Sequence, residues 1–365
     1  MTVIIFLIVL AVLIFVHELG HFVAAKAFGI RVDAFKIGFG PKLFAWKPKS
    51  KKVTTVNDTE YGINWIPFGG YVKIHGENPD ADSMVGPDRH RSFVNKPRWQ
   101  QGIVLVAGVA FNVLFAWILY AGLFTHGVTA TTDGFEKYSA HFSNQRIMVT
   151  DILPGSPAEK AGLKVGDILV GPTIIGIQDE INASAGKSVS LGYTRDGIRE
   201  TTAIVPVQGL VPDRYAIGVA MDDVVDMKLP FFTAVYEGAH YTVIMLRDTA
   251  AGLYAFVANI FHGTANFSDI SGPVGIAGIV GSAAKLGLTY LLMVTALISI
   301  NLAIVNLIPF PALDGGRLLF VIIEGITRRR ISPRFTNMVN LVGFALLMVL
   351  MVVVTYRDIA KLVKG

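Results

Sequence analysis

"LIFVHELGHFVAAK", Leu13 to Lys26, sets two histidines and a glutamate in a stretch otherwise apolar enough to cross a membrane. An ionisable side chain at mid-bilayer costs roughly 2.5–3.5 kcal/mol on insertion scales, so three of them in five positions need a compensating partner. On a helix, residues four apart share a face, so His17 and His21 can offer both imidazoles to one ion. Glu18 lies on the adjoining side, near any water on that ion. This is H-E-x-x-H, the pattern of a zinc hydrolase with Glu as general base. The rival account is polar packing between helices, and it weakens at membrane depth, where a divalent cation is the strongest compensation available.

The rest of the chain suits a bilayer. Its 365 residues are 52% hydrophobic and 16% charged, against about 25% charged in soluble domains. The mean hydropathy is +0.54. There is no cysteine, which excludes disulfide frameworks, Cys-ligated zinc and thiol catalysis. Apolar runs near 20 residues predict spans at about 3–25, 102–124, 286–308 and 338–356. The first run lacks the basic start and A-x-A site of a signal peptide.

Charge orients the spans. Residues 26–102 hold 13 Lys/Arg against 7 Asp/Glu, whereas 126–285 hold 11 against 16. Arg328, Arg329 and Arg330 precede the fourth span. Basic loops stay in the cytoplasm. Segments 26–101 and 309–337 are therefore expected inside the cell, with the acidic insert and both termini outside.

Between spans, "DAFKIGFGPKLFAW" and "TEYGINWIPFGGYVKIHG" alternate apolar and polar residues and predict short strands. They form either a self-packed hairpin or one that dips toward the first span and offers an edge strand to an extended peptide. Outside, "VTDILPGSPAEKAGLKVGDILVG" (Val149–Gly171) reads as strand, turn, a short helix capped by Ser156 and ended at Gly162, then another strand. A hairpin turning at Asp196-Gly197 follows. Residues 125–225 thus look like a PDZ domain, with room for only a short second helix. The polar-interrupted stretch from Leu229 to Gly263 predicts a pair of interfacial amphipathic helices, and "DISGPVGIAG" a Gly-Pro loop, within 226–285. The expected fold is a polytopic α-helical membrane protein of four transmembrane helices. It carries an extracytoplasmic PDZ-like domain, a cytoplasmic membrane-associated β-hairpin region and a short outer tail at 357–365.

A catalytic zinc takes three protein ligands and leaves one position open. Carboxylates near the spans are scarce. "NLIPFPALDGGRLLF" (Asn306–Phe320) closes the third span, and Pro309 and Pro311 end its helix. Asp314 follows at a bend that Gly315 and Gly316 permit. Irregular backbone at this depth must be buried in protein or line a cavity. Asp314 is thus either the third ligand or an N-cap for the segment that follows. Glu324 is the competing carboxylate, without such a bend.

Taken together, H-E-L-G-H, N-L-I-P-F-P-A-L-D-G, the PDZ-like insert and "SGPVGI" resemble the site-2 protease family, in its bacterial RseP-type branch. The likeness runs over nearly the whole chain. It implies an intramembrane zinc endopeptidase of the bacterial inner membrane, with zinc on His17, His21 and Asp314 and Glu18 as base. It implies that Asn306 holds the substrate backbone extended. Phe68–Lys73 resembles the family's membrane-associated β-loop, which assigns substrate contact to Gly69, Gly70 and Tyr71. Gly108–Asn112 resembles the family's Gly-Pro-x-x-Asn, with Val109 where Pro is usual, and implies that Asn112 contacts substrate. Implied partners are single-span membrane proteins such as anti-sigma factors, remnant signal peptides, and the lipid bilayer. A helical substrate would be unwound before water attacks. Two other classes stand beside this one. A non-enzymatic scaffold would bind no metal, and a zinc transporter or sensor would leave Glu18 and the Pro-bent loop without a role.

Overall fold

An unbroken apolar run without proline gives helix α1 (Thr2–Ala27), about 39 Å long at 1.5 Å per residue. The computed structural model describes all residues except 49–58, 79–80, 133–134, 196, 212–213, 265–270 and 365. Asp196 of the expected hairpin turn and Asp269 of the Gly-Pro loop therefore lie outside the described residues. After α1 come β1 (Val32–Trp46), β2 (Glu60–Ile74), α2 (Ala81–Val85) and α3 (Arg98–His126). Next are β3 (Val128–Thr131), β4 (Phe142–Ile152), α4 (Pro157–Lys160), β5 (Ile168–Leu169) and α5 (Ile174–Ala183). Strands β6 (Val189–Arg195), β7 (Ile198–Ile204), β8 (Val207–Val211), β9 (Arg214–Ala216) and β10 (Val219–Met227) follow. The chain closes with α6 (Phe231–His262), α7 (Pro273–Leu286), α8 (Leu288–Leu307), α9 (Asp314–Thr327) and α10 (Pro333–Lys364).

The contacts divide the chain into two units, Met1–Leu123 with Ala234–Gly365, and Phe124–Thr233. In the first, small residues let helices approach closely, as helix contacts in membranes require. A Cβ on Gly20 of α1 would lie 2.3 Å from the Ala107 carbonyl of α3. One on Gly281 of α7 would lie 2.2 Å from Thr2. Asp358 of α10, itself buried, accepts the Gly275 N–H at the start of α7, 2.7 Å away. That supplies from another helix the cap that Gly272 cannot give.

Strands β1 and β2 pair through an antiparallel ladder with repeated register shifts. Residues 34–37 of β1 register with both 60–63 and 70–73 of β2. The 70–73 stretch is thus paired with β1 on one side, and α1 packs beside it, with Ile14 3.6 Å from where a Gly70 Cβ would be. The far end of the pair is apolar and exposed, at Phe39, Leu43, Phe44, Trp46, Trp65 and Ile66.

The second unit holds a six-stranded sheet, order β3-β10-β4-β5-β6-β7, and a small β8-β9 pair. Ile147, Val149, Leu169, Ile177, Ile181 and Leu191 meet in its core. Ser156 caps α4 by accepting the Glu159 N–H, and Gly162 ends the turn in the left-handed region at φ 81°. Both features agree with the sequence reading. The second helix, α5, has 10 residues and starts earlier than expected, behind Thr173, which caps it.

Among the described residues, five helices are long and apolar enough to cross a membrane: the four at the expected spans, and α6. Residues 231–262 are one continuous helix rather than a pair. Of its polar residues, Glu237 is buried together with Ala234, Gly238 and Thr242, while His240, Arg247 and Asp248 are exposed and so do not interrupt the helix. A Gly238 Cβ would lie 2.8 Å from the Ala121 backbone. Segment 309–337, expected as a loop, contains α9.

Candidate metal centre

His17 and His21 face inward from α1, 8% and 6% exposed. The Gly20 contact brings α3 against this face, and Gly108 lies under both rings. A Cβ on Gly108 would sit 2.4 Å from His21 Nε2 and 2.8 Å from His17 Cε1. The imidazoles therefore fit only over a glycine.

Asp314 arrives from the other end of the chain. Helix α8 stops at Leu307, and Ile308 adopts ψ 135° ahead of Pro309, as the residue before a proline should. The loop then folds back onto the first turn of α9. A Cβ on Gly315 would lie 2.3 Å from the carbonyl oxygens of Leu307 and Ile308, and one on Gly316 2.2 Å from that of Phe310. The two glycines serve this close approach, not an unusual φ. Asp314 is the first residue of α9, and Leu313 holds the N-cap position without a side-chain cap bond. The Asp314 carboxylate points to the histidines instead.

Three donor atoms meet. Asp314 Oδ2 lies 3.0 Å from His17 Nε2 and 3.2 Å from His21 Nε2, and the two nitrogens are 3.2 Å apart. Bonds of 2.0–2.1 Å in a tetrahedral zinc site put ligand atoms about 3.4 Å apart. The triangle is close to one face of such a site, and two imidazoles with one carboxylate are a donor set zinc accepts. His21 Nδ1–H donates to the Val104 carbonyl at 2.8 Å. A carbonyl only accepts, so this bond leaves the Nε2 lone pair directed at the cluster.

Glu18 is half-buried on the neighbouring face of α1. Its Oε2 accepts the backbone N–H of Val72 in β2 at 2.8 Å. Gly70 and Tyr71 sit on the same strand segment, and a Gly69 side chain (φ 91°) would strike the Phe39 ring at 2.4 Å. Asn112 is fully buried, with Nδ2 3.3 Å from His17 Nδ1. Asn306 is half-buried near the end of α8. Glu324, the competing carboxylate, pairs instead with Arg98 at 2.7 Å.

Several supporting residues carried no sequence signal. Asn340 of α10 accepts the Ala312 N–H at 3.4 Å, where Ala312 is left-handed at φ 73°. Gly343, one turn on, lets α10 touch the loop, since its Cβ would fall 2.4 Å from that of Pro311. In the second unit, a cavity of about 330 Å³ is lined by Gln178 and Ile181 of α5, Tyr215 of β9 and Val219 of β10.

The profile of peptidase family M50 matches residues 5–350. The chain is 35% identical over 360 residues to a protein named "Putative zinc metalloprotease" in Clostridium perfringens, covering 97% of each. It is 33% identical over 367 residues to a like-named protein of Nostoc, covering 97% of this chain and 94% of the relative. It is also 29% identical over 443 residues to "Zinc metalloprotease RasP" of Shouchella clausii, covering 99% of each. Long apolar helices joined to a His–His–Asp cluster define a zinc metalloprotease set in a membrane. The chain belongs to peptidase family M50, the site-2 proteases.

Proposed function

We propose that this intramembrane zinc protease cuts single-span membrane proteins within or beside their transmembrane segments, with zinc held by His17, His21 and Asp314 and with Glu18 as general base. The convergence of Asp314 on H-E-x-x-H across nearly the whole chain carries this reading. Bound there, zinc would polarise the scissile carbonyl and acidify a water toward a pKa of about 7. Glu18 takes a proton from the attacking water and returns it to the leaving amine. His17 and His21 would hold the ion from one face of α1, and Asp314 would close the set from the first turn of α9.

A helical substrate hides its carbonyls in its own hydrogen bonds, so it must unwind locally. The 70–73 stretch of β2 offers backbone groups beside Glu18, and pairing there would hold the unwound piece. Gly69, Gly70 and Tyr71 are proposed to line that path, and Asn306 to bond the substrate backbone. The exposed aromatic end of β1–β2 suits contact with the bilayer.

We assign four crossings, with residues 26–101 and 309–337 in the cytoplasm and the 124–233 unit and both termini outside. Helix α6 does not cross in this arrangement. Its start packs on Ala121 near the outer end of α3. The next helix, α7, meets Thr2 and Asp358, residues that this arrangement sets at the same outer level. An odd crossing between them would invert α8 and carry Asp314 away from His17. The outer unit resembles a PDZ domain, and we assign it the filtering of substrates by size, which favours proteins already shortened by another protease. Anti-sigma factors and remnant signal peptides have that form.

The decisive experiment uses full-length protein in detergent, with bound zinc measured and a single-span peptide offered to wild type and Glu18→Gln. One zinc per chain in both, with cleavage lost only in Glu18→Gln, is expected. Equal cleavage by both, or zinc without any cleavage, overturns the reading.

A further inference from the structure

Asn112 lies one turn beyond Gly108 on α3, and both face His17. Its position is fixed from outside, because Ser299 Oγ of α8 donates to the Asn112 carbonyl at 2.8 Å. The side chain is completely buried. Nδ2 sits 3.3 Å from His17 Nδ1, while Oδ1 is buried with no partner. An orphaned buried acceptor is costly, and in native structures it asks for an explanation.

The two ends of this amide suit two states of His17. With Nδ2–H donated to Nδ1, the ring proton is on Nε2, where it bonds Asp314 Oδ2 at 3.0 Å. A metal on Nε2 takes that lone pair, so the proton of the neutral ring sits on Nδ1. A half-turn of the amide then presents Oδ1 to Nδ1–H and satisfies the orphan. His21 already has its acceptor, the Val104 carbonyl. Histidines that bind metal nearly always donate their second N–H in this way.

We propose that Asn112 is a positioning residue for zinc: its Oδ1 accepts the His17 Nδ1–H and fixes Nε2 toward the ion, so the residue acts on metal affinity and not on substrate. This rests on the reading that His17, His21 and Asp314 hold zinc. It also accounts for Gly108 and Asn112 standing one turn apart, one making room for the rings and the other orienting one of them.

The test measures zinc dissociation constants on full-length protein by competition with a chromophoric chelator. Peptide cleavage at saturating zinc is followed in parallel. Asn112→Leu, of similar volume but without an acceptor, is expected to bind zinc about 10–100-fold more weakly. Asn112→Asp, which can only accept, should keep wild-type affinity or better, and KM should stay within about twofold in both once zinc is saturating. If Asn112→Leu does not fold, Asn112→Ala removes the amide without bulk and gives the same comparison. Wild-type zinc affinity in Asn112→Leu or Asn112→Ala with a raised KM would overturn the proposal in favour of substrate contact. Equal loss in Asn112→Asp and Asn112→Leu would overturn it too, since an acceptor would then not be what matters. His17→Ala serves as reference. If it keeps zinc, the ligand assignment fails; if it loses zinc while Asn112→Leu does not, only this inference fails.

Discussion

The backbone N–H of Val72 donates to Oε2 of Glu18 at 2.8 Å, so the proposed general base is held by the strand proposed to hold the substrate. Strand and base are thereby in register before any peptide arrives. Proline is tolerated on an edge strand where the N–H faces away from its neighbour, so Val72→Pro removes this donor selectively. A hydrogen bond to a charged group contributes about 1.5–3 kcal/mol. Val72→Pro is expected to keep zinc and lose about 10-fold or more in kcat, as read by steady-state cleavage.

Gly108→Ala should abolish tight zinc binding. Helix propensity favours alanine by about 1 kcal/mol, so propensity alone would predict a gain in stability. The added Cβ, 2.4 Å from His21 Nε2, displaces the ring instead. Zinc titration should show at least about 100-fold weaker binding with helix content by circular dichroism unchanged.

The contacts of α10 shape the loop from outside the centre. Gly343→Leu drives a side chain into Pro311, and overpacking of this kind costs about 1–3 kcal/mol. Asn340→Leu removes the acceptor of the Ala312 N–H. Both should weaken zinc binding measurably although neither residue touches a donor atom, and chelator competition reads the effect.

Asp226 gives the second unit an acid-sensitive point. Arg146 holds its carboxyl well below the usual range, first through two bonds at 2.7 and 2.9 Å and then with help from Thr129 and Asn144, while burial opposes the shift. Because the folded value is the lower one, the stabilisation is complete above the unfolded value of 3.8 and fades as pH falls below it. The melting temperature of the 124–233 unit should therefore drop below about pH 4, and Asp226→Asn should flatten that drop.

Val128 pairs with Met227, so the second unit leaves and re-enters the chain at adjacent points. Replacing 128–227 with a short Gly/Ser linker should leave zinc content unchanged and permit cleavage of long, uncut single-span substrates. Unchanged selectivity by gel assay would remove the filtering role. Excising only 146–208 would be a poorer test, because β10 would keep only the Phe142–Ser143 end of β4 as partner.

What could be read from the chain alone followed from cost. Charges at membrane depth are expensive, so His17, Glu18, His21 and Asp314 stood out against an apolar background, and Pro309 and Pro311 marked the end of α8. The Ser156 cap and the Gly162 turn were legible because local hydrogen bonding and φ dictate them. The Val72 contact was not, since any residue has a backbone N–H. The unity of α6 was hidden because Glu237 and His240 look like interruptions, whereas burial of one face depends on Ala121 from a distant helix. The purpose of Gly315 and Gly316 was half seen: the sequence suggests a bend, but the need is for carbonyls to pass where a Cβ would stand.

His17 and Asp314 meet at 3.0 Å although 297 residues separate them. At about 5–20 residues per second, a ribosome needs roughly 15–60 s to travel that distance. Through all that time the first helix can enter the bilayer carrying a hydrolytic motif that lacks its last donor. On the proposed ligand set, the centre is complete only once α9 has emerged. On the proposed reading of the centre, the order of synthesis itself delays completion of the site.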